Sequence, residues 1–131
     1  MRLRMTHLVL FSAVIFLAGC HPAGPPKPTA QDIEVAKQDA ARELAQARIE
    51  ASKDIKSAVK VAGSSSKEVS MAKATASYDI AMAKADGEHK IATEQCLTLQ
   101  APMVQPCKDK ADAEYESAKA AAKKLRLTRD Q

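Results

Sequence analysis

The 131-residue chain has no tryptophan and only two phenylalanines and two tyrosines. Large aromatic side chains supply much of the area that a globular core buries, so a thick core is excluded and thin packing between alanine-faced helices is expected instead. Glycine is scarce too, at four residues, and neither a glycine-rich phosphate loop nor a Ser/His/Asp arrangement occurs. Like charges never run to five in succession. Basic and acidic residues alternate, so despite a formal net charge of +4 the chain carries no nucleic-acid footprint. The carboxylates alternate with lysines as they do on solvated helix faces, which argues against acid–base catalysis and against a small-molecule substrate.

What is present starts at the N-terminus. Met1-Arg2-Leu3-Arg4 is a short positive segment, and Leu8 to Ala18 is apolar except for Ser12 before Gly19 and Cys20. That order is the order of a secretory signal. Eleven helical residues reach only about 16 Å against roughly 30 Å of hydrocarbon, too short for a lasting membrane span. Removal of residues 1–19 takes away Phe11, Phe16, Arg2 and Arg4, leaving 18 Lys and Arg against 16 Asp and Glu, a net charge of +2.

The segment Leu17-Ala18-Gly19-Cys20 resembles the lipobox of bacterial lipoproteins. The resemblance implies that the Cys20 thiol carries diacylglycerol, that cleavage falls before it and that the new N-terminus is acylated. Two or three acyl chains hold a protein stably on its membrane, so membrane lipid is the partner expected at this end. His21 follows where an aspartate marks inner-membrane retention in enterobacterial members. The expected location is therefore the cell envelope, lipid-anchored to the outer membrane and facing the periplasm.

Residues 20–28 read CHPAGPPKP, and the four prolines make a semi-rigid tether. Thr29, with Asp32 three residues on, signals a helix N-terminus and opens a first helix over 29–62. Its pattern is an eleven-residue repeat: Ile33, Leu44 and Ile55; Ala36, Ala47 and Ala58; Ala40, Ala51 and Ala62. Steps of 3, 4 and 4 keep one stripe on one side of a straight or slightly right-handed helix. Asp39 with Arg42 and Glu50 with Lys53 are opposite-sign neighbours on the other sides.

Gly63-Ser64-Ser65-Ser66 interrupts this helix, with Ser65 to Glu68 reading as a second capping box. Val69, Ile80 and Ile91, with Ala72 and Ala83, resume the pattern in a second helix over 67–100. A four-residue break closes an antiparallel hairpin, yet the fourteen-residue step from Ile55 to Val69 also suits a continuous kinked helix. Pro102 ends the second helix by about Gln100, residues 101–106 form a proline turn, and a third helix occupies 107–128, entered from about Gln105. Its stripe of Ala111, Tyr115, Ala118, Ala122 and Leu125 is heptad-like, and 129–131 is a tail. The expected fold class is all-α: long alanine-rich amphipathic helices, coiled-coil-like, in an extended rod or an antiparallel hairpin.

Ten residues separate Cys96 from Cys107 across the proline turn, and paired thiols in an exported chain normally oxidise. A disulfide between the last turn of one helix and the first turn of the next would staple the open end of a hairpin and stabilise it by about 2 to 3 kcal/mol. His89 lies i,i+7 from Cys96 and with Cys107 offers three ligands at best, without CxxC or clustered His/Cys spacing, so neither metal nor cofactor is expected. His21 and His89 read as solvated residues. The run from Lys90 to Cys96 and from Cys107 to Tyr115 resembles a group of small alanine- and lysine-rich proteobacterial envelope proteins with a helical cysteine pair. That resemblance implies compartment and disulfide, and no activity.

The function expected is that of a membrane-anchored structural or interaction lipoprotein, not an enzyme, meeting an envelope protein or copies of itself. The alternative is a membrane- or stress-protective amphipathic protein that folds on lipid or on drying, since eleven-residue patterns also occur in apolipoprotein-like and desiccation-protein helices. The alanine-rich stripe, with no tryptophan or phenylalanine to insert, favours packing against another helix.

Overall fold

A computed structural model describes residues 27–64 and 66–127. The signal segment, Cys20, His21, most of the proline tether and residues 128–131 lie outside the described residues. The architecture is all-helical, with α1 at Ala30–Ala62, α2 at Lys67–Leu97 and α3 at Ala101–Leu127.

α1 starts where the capping signal placed it. The Asp32 N–H donates to Thr29 Oγ1 at 3.3 Å and the Thr29 N–H donates to Asp32 Oδ2 at 2.6 Å, satisfying two of the donors that a helix start leaves free. Its end needs glycine: Gly63 has φ 79°, and its N–H reaches the Val59 carbonyl at 3.0 Å. α2 then begins behind Ser66, whose hydroxyl accepts from the Val69 N–H at 3.2 Å. The N-cap is therefore Ser66, one residue after the Ser65 expected, and the Val69 that donates to it is almost completely buried.

The break at 63–66 is a reversal. Gly87 of α2 packs on Ala40 of α1, and Lys90 reaches back to Asp39 at 3.4 Å, so the two helices are antiparallel and the kinked-rod alternative is excluded. α2 in turn packs antiparallel to α3, whereas α1 and α3 make no contact. The result is an open layer of two helical hairpins that share α2.

Eleven-residue spacing governs both seams. In α1 the inward residues are Ile33, Ala36, Ala40, Leu44, Ala47, Ala51, Ile55 and Ala58, the stripe read from the sequence less the exposed Ala62. α2 answers with Val69, Ala72, Ala76, Ile80, Ala83, Gly87, Ile91 and Glu94. A second stripe, Ala74, Tyr78, Ala81, Ala85, His89, Ala92 and Cys96, lies on the opposite side of α2 and faces α3. α3 meets it with Val104, Cys107, Ala111, Tyr115, Ala118 and Ala122. This stripe keeps eleven-residue steps, and the Leu125 that a heptad would bury is 45% exposed. The contacts are thin: Val69 and Cys96 are the largest fully buried side chains, and no polar or charged residue is buried among those described.

The proline turn is where the sequence expectation fails most. Residues 101–106 are not a turn but the opening of α3, and the connection shrinks to Thr98, Leu99 and Gln100. Pro102 sits in the first helical turn, where a missing N–H costs nothing because that position has no intrahelical acceptor. Pro106 lies inside the helix and leaves only the Pro102 carbonyl without its i+4 donor. Cys107 consequently stands in the second turn of α3 rather than the first.

Candidate functional site

The described residues concentrate polar chemistry on the α2–α3 seam. At its loop end Cys96 and Cys107 are placed at disulfide distance, with Cα atoms 5.5 Å apart, well within the range a disulfide spans. Cys96 is 1% exposed. The pair closes the loop end of the α2–α3 hairpin, which is also the open end of the α1–α2 hairpin. Lys27 marks the same end, its Nζ donating to the Leu99 carbonyl at 3.4 Å. The tether and the cysteine pair therefore share one end of the layer.

Two turns along α2 from Cys96, His89 stacks on Tyr115 of α3, with ring centroids 4.6 Å apart and planes at 23°. The His89 Nε2 is 2.6 Å from Asp112 Oδ1, and the Tyr115 hydroxyl donates to Asp86 Oδ1 at 2.5 Å. The bond to Asp86 pushes the Tyr115 phenol above the usual tyrosine range, with partial desolvation adding to it. Lys119 Nζ lies 4.8 Å above the same ring and pairs with Glu116 at 2.7 Å, and that pairing raises the Lys119 ammonium above its ordinary range. Nearer the far end, Arg126 of α3 covers the Tyr78 ring at 5.7 Å. The two tyrosines, close in the chain to similar acidic and alanine residues, thus each bind the neighbouring helix.

The chemistry of this seam is adhesive. Each carboxylate is exposed and engaged, the ring nitrogen of His89 faces Asp112, and the hydroxyl of Tyr115 is spent on Asp86. Among the described residues no group of three or more His, Cys, Asp or Glu is arranged to hold a metal ion. The two cysteines meet as the sequence predicts, whereas His89 is not the solvated residue expected. It is in fact partly covered, with 29% of its side chain exposed. Its partners Tyr115 and Asp112 lie more than twenty positions away, and the repeat of Tyr78 with His89 at eleven residues was the one local signal that both face α3. Among the described residues no helix is long and apolar enough to cross a membrane.

No protein-family model matches the chain, and no curated protein or solved structure matches it.

Proposed function

We propose that the protein is a lipid-anchored, non-catalytic helical scaffold of the bacterial cell envelope, held by acylated Cys20 in the outer membrane and extending into the periplasm. The observation that carries this reading is Leu17-Ala18-Gly19-Cys20 at the end of a short apolar run behind two arginines. The folded part supports it in two ways. Its N-terminus emerges at one end of a layer whose α1 alone, at 33 residues, is about 50 Å long, a shape suited to projecting from a surface. Its cohesion also draws on a cysteine pair, and a disulfide contributes only in an oxidising compartment such as the periplasm.

The test is direct. Expression in a bacterial host with labelled fatty acid should place label on the wild-type chain and none on the Cys20→Ser variant. Label retained by the variant, or wild-type protein found unmodified in the cytoplasm, would sink the proposal. Circular dichroism on residues 21–131 separates the scaffold from a protein that folds on lipid. The scaffold gives strong helix and a cooperative melt in plain buffer, whereas coil that turns helical only on vesicles would belong to the protective class.

A further inference from the structure

Folding the chain back on itself sorts its charges by end. Residues 27–46 and 82–119, the half nearest the tether, hold eight Lys and Arg against eleven Asp and Glu. Residues 47–81 and 120–127, the half remote from it, hold nine against four. The near half also neutralises itself: Lys84–Glu88, Lys90–Asp39, Lys110–Glu114 and Lys119–Glu116 all pair within it. In the remote half, Arg48, Lys53, Lys56 and Lys60 line a shallow groove on the outer face of α1 around Ile49, and none of these four forms an ion pair with a described residue. The same end exposes apolar side chains, with Val61 at 88%, Leu127 at 65% and Met71 at 52%.

From this placement we infer that the end of the layer remote from the tether docks on an anionic phospholipid bilayer. Each Lys or Arg near such a surface is attracted by its negative potential, and exposed apolar chains between them can enter the headgroup region. The cations are spread over all three helices, Arg48 to Lys60 on the outer face of α1, Lys67 and Lys73 on α2 and Lys123 to Arg126 on α3, and form no single patch. That diffuse arrangement fits a fluid surface whose charges move to meet it, whereas a folded acidic partner needs a fixed complementary shape. The acidic near half is repelled by the same kind of surface, so approach is end-on. The inference builds on the anchored-scaffold reading only in assigning the tether to the other end.

The interhelix contacts, caps and cysteine pair described above all lie within residues 27–127, so the chain from residue 21 onward serves as the probe and carries no lipid. It should sediment with vesicles of phosphatidylglycerol and phosphatidylcholine in equal parts, ignore vesicles of phosphatidylcholine alone, and be released by salt. Charge reversal at Arg48, Lys56 and Lys60 together should weaken binding about a hundredfold, from roughly tenfold or less per cation, with helicity and melting unchanged. Reversal of Lys108 and Lys110 in the near half should leave binding intact. Equal binding to neutral vesicles, no binding to anionic ones, or no loss in the triple variant would each overturn the inference. So would binding to soluble polyglutamate without vesicle binding, which points to an acidic protein, or salt-sensitive self-association, which points to a second copy. Labelling at Cys20 is read separately, so failure here leaves the anchor proposal standing.

Discussion

The two seams of α2 use the same spacing and opposite chemistry. Towards α1 the contacts are small and close, with Gly87 set directly on Ala40 and a single exposed ion pair, Lys90–Asp39, crossing the interface. Towards α3 alanines are as frequent at the points of contact, but a cysteine pair, a His–Tyr stack and two tyrosine-anchored contacts bridge the gap. Periodicity sets the register in both. Residue identity then decides whether the helices are held by approach or by bridges, and approach tolerates no added volume.

The largest expected effect is at Gly87. A Cβ at Gly87 would stand 2.7 Å from the Ala40 Cβ and 3.3 Å from its Cα, so Gly87→Leu should cost about 3 kcal/mol by forcing the helices apart. Thermal melting would report it, and a melt like the wild type's would show that α1 does not rest on this contact. Gly87→Ala is the sharper comparison, because about 1 kcal/mol of gained helix propensity opposes the overlap.

On the other seam, Cys96→Ser with Cys107→Ser should cost about 2 to 3 kcal/mol. Reductant should shift the wild-type melt by a similar amount and leave the double variant unmoved. If α1 and α2 separate first, hydrogen exchange should show α1 losing protection ahead of α3 in the reduced wild type as well. Loss of α3 first would reverse the ranking of the seams.

Thr29→Ala removes the cap of α1 and should cost about 1 kcal/mol. Hydrogen bonds from Thr29 hold the Asp32 carboxyl below its ordinary range. A depressed carboxylate contributes stability that is present above its unfolded value and lost as pH falls through the folded one. The variant keeps the backbone N–H, the larger cause of that shift, and should lose only the hydroxyl's share of the acid dependence at and below the usual aspartate range, a difference read from melts taken across that interval.

The smallest effect is at Tyr115. Its phenol titrates above the usual tyrosine range in the fold, so the bond to Asp86 contributes below the unfolded value and is lost as pH rises through the folded one. Tyr115→Phe should flatten the decline in melting temperature at alkaline pH while sparing the ring stack on His89. An unchanged alkaline slope would remove this bond from the account of the α2–α3 seam.

How much of this was legible beforehand differs by element. The α1 stripe was readable because a single apolar face produces a single clean repeat. α2 carries two such faces on opposite sides, and following Val69, Ile80 and Ile91 hid the parallel series through Ala74, Ala85 and Cys96. The hairpin at 63–66 stayed open because the fourteen-residue step keeps the stripe in phase whether the chain reverses or continues. Pro102 and Pro106 look like breakers in the sequence, although a helix start excuses the first and bears the second. The cysteine pair was visible from spacing and expected compartment. The His89 cluster was not, since its members meet only once α3 folds back on α2. Charge sorting was equally hidden, because along the chain the signs alternate and only the antiparallel layer gathers Arg48 to Lys60 with Lys123 and Arg126.

α1 touches α2 and not α3, and its two ends are the tether side and the remote end of the layer. A pull applied between those ends runs along the axis of one continuous helix from Ala30 to Ala62. α2 lies beside this load path and α3 beyond it, so neither is in line with the tension. Stretching therefore has to break the backbone hydrogen bonds of α1 or shear it past Gly87, while the cysteine-paired hairpin remains unloaded and ready to re-seat it when tension is released.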